Sequence, residues 1–142
     1  QHVAVFPPQH PLAKFVATPG KLTLKDLARH PLVTYEAQFA GRGKIDAAFT
    51  AAGIEPSIVL EAIDADVIKT YVAAGLGVGI IAGVAVDHPR ESLTVLPCAH
   101  LFGQNTTRLA VKQGAYLRGF AYDFILMLAP DWTKAKLEEK FG

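Results

Sequence analysis

The sequence predicts an α/β fold with a central, mostly parallel sheet, on three observations. Short apolar runs rich in β-branched residues alternate with segments of helical periodicity. Glycines and prolines separate these segments. The run from Pro56 to Ala82 predicts a strand, a ten-residue helix and a second strand, which together form a βαβ unit.

Length and composition limit the possible architectures. The chain has 142 residues, of which 51% are hydrophobic and 19% charged, and this suits one domain with one core. A net charge of +1 gives no basic surface for nucleic acid. No apolar stretch is long enough to span a membrane, and no signal-peptide pattern is present. Cys98 is the single cysteine, which excludes an internal disulfide and suits a reducing cytoplasm.

The N-terminal half predicts alternating short elements. His2–Phe6 is apolar and β-branched and is closed by two prolines, so we expect an edge or connecting strand. A proline-rich loop follows, and Thr23 with Asp26 forms a partial capping box for the turn Leu24–Arg29. Two further elements come next, a buried strand over Pro31–Tyr35 and a surface helix over Gly41–Ala52 that Gly53 terminates.

The remaining elements follow from the same signals. Asp64 is the expected N-cap of the helix inside the Pro56–Ala82 run, and Gly75 ends that helix. The later predictions are a helical turn near Gly83–Val86, a loop at His88–Ser92, strands at Leu93–Pro97 and Thr106–Lys112, and a helix at Leu117–Leu128 that Pro130 ends. We expect the charged tail to be one frayed helical turn or disordered.

Several candidate motifs have structural interpretations. The glycines of Gly75–Gly79 close a helix and open a strand, whereas a phosphate loop does the reverse, so a packing turn is favoured. Asp64 and Asp66 fit a helix cap better than an acid–base pair. Cys98 and His100 lack further metal ligands at suitable spacing. We expect four histidines beside turns or prolines to face solvent, namely His2, His10, His30 and His88. No metal site, cofactor or catalytic residue is predicted.

The stronger ligand signal is the segment Tyr35–Lys44. A strand there ends in a polar and aromatic loop, after which Ala40 and Gly41 begin a helix. The first N–H groups of that helix lack intrahelical acceptors, and Arg42 adds positive charge, which together suit a carboxylate or oxyanion. Ligands of open α/β sheets bind beyond the carboxyl ends of the strands, where this loop lies. A plain helix cap remains an equal alternative.

Four segments carry a resemblance to a known family: "HPLA", "LARHPLVTYEAQFAGRGKIDAAF", "AIDADVIKTYVAAGLGVGII" and "TTRLAV…LRGFAYDFILMLAP". Over about residues 3–130 the chain resembles the effector-binding region of LysR-type transcription regulators, most closely the cysteine-regulon or CysB-like branch. The resemblance implies a periplasmic-binding-protein-like (type II) module of two Rossmann-like lobes joined by two crossover strands. Such regulators read DNA through an N-terminal winged helix–turn–helix. That segment and most of the first lobe are expected to be absent here, and Gln1 suggests a fragment.

The same resemblance implies a division of the chain and a set of functional residues. Residues 1–7 would be the first crossover, 8–104 the second lobe, 105–113 the return crossover, 114–130 a helix of the absent first lobe, and 131–142 a tail. The implied effector contacts are Thr34, Tyr35, Gln38, Phe39, Ala40, Gly41 and Arg42, with Ile63 and Asp64 nearby. The implied dimerisation residues are Val67, Ile68, Tyr71 and Val72.

One position departs from the family pattern. Members that bind sulfate-like anions often have a threonine where this sequence has Ala40, so one hydrogen bond to an anion is lost. The implied function is sensing of a small anion, sulfate-like or acetylserine-like, by an oligomeric cytoplasmic regulator of sulfur and cysteine metabolism. A solute-binding or small enzyme domain of the same architecture is the alternative.

Overall fold

A computed structural model describes residues 1–86, 92–104, 106, 108–112 and 117–141. They form two compact units, residues 1–105 and residues 106–142. The predicted loop at His88–Ser92 lies, apart from Ser92, outside the described residues. No helix in the described ranges has both the length and the apolar character needed to cross a membrane.

The first unit is built on a five-stranded sheet, which confirms the α/β class. Its strands are β1 (His2–Phe6), β2 (Leu32–Tyr35), β3 (Ile58–Ala62), β4 (Val78–Ala82) and β5 (Thr94–Pro97), in the order β3-β2-β4-β1-β5. Strand β2 pairs in parallel with β3 and β4. Strand β1 pairs antiparallel with β4 and β5. The sheet is therefore mixed, with its parallel part at the β3 side.

Strand β1 corrects one of the two alternatives predicted for it, that of an edge strand, because it lies inside the sheet. All five residues of β1 are buried. Both backbone edges of β1 are used, since His2 pairs with Ala82 while Ala4 pairs with Leu96. A strand covered on both faces has no polar alternation, and its sequence is then a continuous apolar run like that of a short connector.

The helices of the first unit are α1 (Leu24–Ala28), α2 (Ala40–Ala51), α3 (Ala65–Ala73) and α4 (Ala99–Phe102), with 3-10 turns at Pro11–Phe15, Pro19–Lys21 and Gly83–Ala85. The capping box of α1 is complete, because Thr23 and Asp26 each accept a hydrogen bond from the other's backbone N–H. Asp64 caps α3 as predicted, and its side chain accepts from the N–H of Asp66 at 2.6 Å. Helix α4 and the first two 3-10 turns were not predicted, since each is only one turn long.

Two apolar clusters cover the two faces of the sheet. One contains Phe6, Ile80 and, from α2, Ile45 and Phe49. The other contains Val5, Val33 and Ile81 of the sheet and Ile68 and Val72 of α3. Cys98 is fully buried in the first cluster, and burial raises the pKa of its thiol to about 12, so it is protonated at neutral pH.

The Gly75–Gly79 segment is a packing turn, as predicted. Gly75 has a φ of 87°, a backbone conformation that favours glycine, and it follows the C-cap of α3. A Cβ on Gly77 would lie 2.3 Å from the carbonyl oxygen of Pro31, and one on Gly79 would lie 2.6 Å from a methyl of Val5. Neither position has room for a side chain, so α3 and β1 approach β4 closely at this point.

We expect Gly79→Ala to lower the free energy of unfolding by about 1–3 kcal/mol, because the added methyl overpacks the contact with Val5 and Val72. Gly43→Ala is the matched control. A Cβ at Gly43 meets nothing within 4 Å, and the change is expected to stabilise the chain by up to about 1 kcal/mol through helix propensity. Urea denaturation measures both, and equal effects would contradict the packing role of Gly79.

The second unit contains α5 (Gly119–Leu128) and α6 (Lys134–Phe141), packed through Tyr122, Ile125 and Leu137. The tail is therefore more ordered than predicted. Of the predicted apolar stripe on α5, Ile125 is buried while Phe120, Phe124 and Leu128 are exposed. Helix α5 thus has an uncovered apolar side.

The strand predicted over Thr106–Lys112 is wrong for the residues that the structure describes there. Thr106 and residues 108–112 adopt no strand, and Thr107 lies outside the described residues. A strand needs a neighbour for its backbone N–H and C=O groups. The described part of this unit contains only helices, so the alternating sequence has no such neighbour.

Candidate functional site

The candidate site lies where β2 meets α2, at the edge formed by the carboxyl ends of the parallel strands. Strand β2 ends at Tyr35, a short loop follows, and Phe39 is the N-cap of α2. The Tyr35 hydroxyl accepts a hydrogen bond from the N–H of Ala82, the last residue of β4, at 3.2 Å. This bond fixes the loop to the neighbouring strand.

Thr34 corrects the predicted set of effector contacts. Its side chain is fully buried, and its hydroxyl donates to the carbonyl oxygen of Ile80 at 3.0 Å. Thr34 therefore holds β2 to β4 and is not available to a ligand. The family resemblance implied Thr34 as an effector contact, whereas the carbonyl that accepts from its hydroxyl belongs to Ile80, 46 residues away in sequence.

Arg42 was expected to offer a free positive charge outside the apolar stripe of α2, and the structure corrects this. Only 7% of the residue is exposed. Its Nε donates to Asp46 at 2.6 Å, and its Nη1 donates to Glu61 at 2.5 Å and to the carbonyl oxygen of Tyr35 at 2.7 Å. The guanidinium thus joins α2, the end of β2 and strand β3.

Arg42, Asp46 and Glu61 form a charged cluster, the Arg42 cluster, in which the two carboxylates neutralise the guanidinium. Burial alone would lower the pKa of Arg42, but the hydrogen bonds and charges of Asp46 and Glu61 outweigh it and raise the pKa above its usual value. Two carboxylates face one guanidinium, so the cluster has no positive charge left for an anion. Arg42 therefore holds the first turn of α2 against the end of β2.

We expect Arg42→Met to lower the free energy of unfolding by about 2–4 kcal/mol, because it leaves the Tyr35 carbonyl and two carboxylates without their donor. Arg29→Met is the matched control. The side chain of Arg29 is 74% exposed, and its ion pair with Asp26 is long, at 3.8 Å. Its loss should therefore cost no more than about 0.5 kcal/mol. Chemical denaturation of both variants measures this, and similar losses would contradict the account of Arg42.

The first turn of α2 is left uncapped by side chains. Phe39 has extended backbone angles and makes no capping hydrogen bond. The N–H of Arg42 donates back to the Phe39 carbonyl oxygen at 2.9 Å, whereas no described residue accepts from the N–H of Gly41. Uncapped N–H groups and the helix dipole favour an anion in front of this turn.

His2 is a site residue that the sequence prediction missed. It was expected to face solvent, but only 1% of it is exposed. Both ring nitrogens are buried without a hydrogen-bond partner among the described residues. A methyl group on Gly41 would lie 3.3 Å from Nε2 of His2, so the ring lies directly beside the first turn of α2. An unsatisfied buried polar group costs roughly 1–3 kcal/mol, which demands an explanation.

We expect the free energy of unfolding to fall as the pH decreases from about 7 to about 5. Burial lowers the pKa of His2, His10 and His30 below the usual 6.5. In this range the unfolded chain therefore binds protons that the folded chain does not, and acid favours unfolding. Denaturation at several pH values measures the slope. It should become smaller in His2→Phe, and an unchanged slope would contradict the lowered pKa of His2.

Four of the other predicted effector contacts lie on the surface. Gln38 and Ile63 are exposed, Phe39 is 38% exposed, and Asp64 is committed to capping α3. The amide of Gln38 donates to the carboxylate of Glu36 at 2.8 Å. An open depression of about 520 Å³ beside the loop is lined by Glu36, Ala37, Gln38 and Glu61, so its walls are acidic. Only the helix side of the site suits an anion.

The predicted dimerisation residues separate into two groups. Val67 and Tyr71 are exposed on α3, at 41% and 44%. Ile68 and Val72 are fully buried against the sheet, so the structure corrects their assignment to a subunit contact. The helical spacing is common to both groups and does not reveal which side of α3 faces the sheet.

Metal chemistry finds no support among the described residues, which contain no group of three or more potential ligands. Nε2 of His100 lies 2.9 Å from the carbonyl oxygen of Leu22, and Cys98 is inside the core.

The fold is an α/β sheet with a candidate ligand site at the carboxyl edge of its parallel strands, and comparison with known proteins gives its family. Residues 1–132 match the LysR substrate binding domain. The chain belongs to this family. The matching relatives are transcriptional regulators and effector-binding domains and not enzymes, in agreement with the prediction that this chain is not an enzyme.

Relatives over nearly the whole chain are regulators. The chain is 51% identical over 139 residues to the HTH-type transcriptional regulator CysB of Burkholderia cenocepacia, covering 97% of this chain and 43% of that protein. It is 46% identical to the regulator SsuR of the same organism, covering 96% of this chain and 43% of the relative. The chain thus spans less than half the length of these relatives.

Two solved structures share the fold of this chain. The cofactor-binding domain of the Cbl transcriptional regulator superposes with a TM-score of 0.81 at 36% identity, covering 99% of this chain and 60% of that one. The effector-binding domain of QuiR in complex with shikimate has a TM-score of 0.63 at 20% identity, covering 92% and 62% of the two chains, and shows the shared fold alone.

Proposed function

We propose that this chain is the second effector-binding lobe of a LysR-type transcription regulator of sulfur and cysteine metabolism. The observation that carries the proposal is the uncapped first turn of α2, fixed by Arg42 at the carboxyl edge of the sheet. A small anion, such as sulfate, thiosulfate or an acetylserine, suits that turn. The CysB, SsuR and Cbl relatives support the sulfur assignment.

Charge distribution supports one ligand position within this site. The Arg42 cluster is neutralised, and the depression beside the loop is acidic through Glu36 and Glu61. Backbone N–H groups of α2 are then the groups that attract an anion, through partial charges that need no counter-ion. Gln38 and Phe39 would close the outer side of the site.

The relation of this lobe to the whole regulator is part of the same proposal. Residues 8–104 would form the lobe, with crossovers at 1–7 and 105–113, and DNA would be read by a winged helix–turn–helix outside this chain in a cytoplasmic protein. The exposed residues Phe120, Phe124 and Leu128 support assigning residues 114–130 to a first-lobe helix. Val67 and Tyr71 would contact a second subunit.

Calorimetric titration of the regulator that contains this lobe, with sulfate, thiosulfate and O-acetylserine, tests the assignment. We expect saturable binding of at least one of the three, and only weak binding, in the millimolar range, by the isolated 142-residue chain, because one lobe offers half of a cleft. No heat from any of the three contradicts the sulfur assignment. Tight binding by the isolated chain would contradict the inference that this lobe forms only half of the effector site.

Substitutions at Ala40, the first residue of α2, test the position of the anion. Ala40→Pro removes one N–H at a position where helices accept proline, and we expect about tenfold weaker binding. Ala40→Thr adds the hydroxyl that sulfate-binding relatives often carry, and we expect binding of sulfate to strengthen about fivefold. The same titrations measure both, and unchanged affinity in both variants would contradict a ligand at this turn.

A further inference from the structure

The imidazole of His2 has a location that its structural surroundings do not explain. His2 begins β1 and pairs with Ala82 at the end of β4, so it lies at the same sheet edge as the β2–α2 loop. Its ring packs edge-on against Phe102, with centroids 5.7 Å apart. The other side of the ring is close to Gly41 in the first turn of α2.

A purely structural residue at this position would be apolar. Phe102 and Phe49 belong to the apolar cluster on this face of the sheet, and neither ring nitrogen of His2 has a hydrogen-bond partner of acceptable geometry among the described residues, although the Gly41 backbone is close enough to raise the pKa of the ring. Buried polar groups of folded proteins are almost always hydrogen-bonded, and exceptions concentrate at functional sites. His2 is such an exception. It lies beside the uncapped first turn of α2, and only 1% of it is exposed to solvent.

We propose that His2 is an effector-binding residue, whose ring N–H donates a hydrogen bond to the anion held at the first turn of α2. The proposal rests on the proposed function, because it needs an anion at that turn. It adds a donor from β1 to a site otherwise formed by β2 and α2. Gly41 has no side chain, so none separates the ring of His2 from the first turn of α2, and a Cβ there would lie 3.3 Å from Nε2.

The charges around His2 determine how its proton responds to a ligand. Burial lowers the pKa of His2, and the ammonium of Lys44 lowers it further, while the Gly41 backbone opposes them. The free ring is therefore neutral at pH 7 and carries one N–H. An anion in contact with the ring stabilises its protonated form, so binding raises the pKa of His2 and strengthens as the pH falls.

NMR of the uniformly ¹⁵N-labelled 142-residue chain tests the proposal, with sulfate and O-acetylserine as probes in the millimolar range. The amide signals of residues 41–43 report binding at α2, and the ring signals of His2 report the new contact. We expect both to shift with the same saturation curve. The ring signals of His10 serve as an internal control, since His10 lies near Phe6 at the opposite end of β1.

Two variants separate binding from folding. His2→Phe keeps an aromatic ring beside Phe102 but has no donor, so we expect about tenfold weaker binding and an unchanged or higher Tm. His2→Gln keeps an N–H donor, and its affinity should stay within about threefold of the original. A clear loss of Tm in His2→Phe would overturn the claim that the ring lacks a structural partner.

The two proposals fail in distinguishable ways. Shifts at residues 41–43 without a response from the His2 ring, together with original affinity in His2→Phe, would overturn the role of His2 and leave the anion site intact. Absence of any shift at residues 41–43 with either probe would overturn the anion site itself, and the role of His2 with it.

Discussion

The hydrogen bonds of Arg42 are the constraint on which the arrangement of the site depends. One guanidinium reaches the Tyr35 carbonyl at the end of β2, Glu61 on β3 and Asp46 one turn along α2. It therefore fixes the first turn of α2 against two strand ends. Because its charge is used by two carboxylates, the attraction for an anion falls to the backbone N–H groups that Arg42 holds in place.

Close packing behind the site keeps this arrangement rigid. Helix α2 covers one face of the sheet and α3 the other, and Gly79 lets α3 and β1 approach β4 without an intervening side chain. Thr34 adds a buried hydrogen bond between β2 and β4. The polar groups that could bind a ligand are then carried by well-packed elements, which reduces the entropy lost on binding.

Local signals in the sequence were sufficient to predict most of the elements, whereas partners distant in sequence were not predictable. The caps at Thr23 and Asp64 and the βαβ run involve neighbouring residues, so their patterns are visible in short windows. The interior position of β1 depends on strand order, which no local pattern encodes. Arg42 and His2 were misjudged for the same reason, since their surroundings come from strands and helices far along the chain.

The central claim is that a small anion binds in front of the first turn of α2. Crystals of the chain soaked in selenate, an anomalous scatterer with the shape and charge of sulfate, test it most directly. We expect an anomalous peak within hydrogen-bonding distance of the Gly41 N–H and of a ring nitrogen of His2. A peak only at exposed basic side chains such as Arg29 and Lys14, with none at α2, would contradict it.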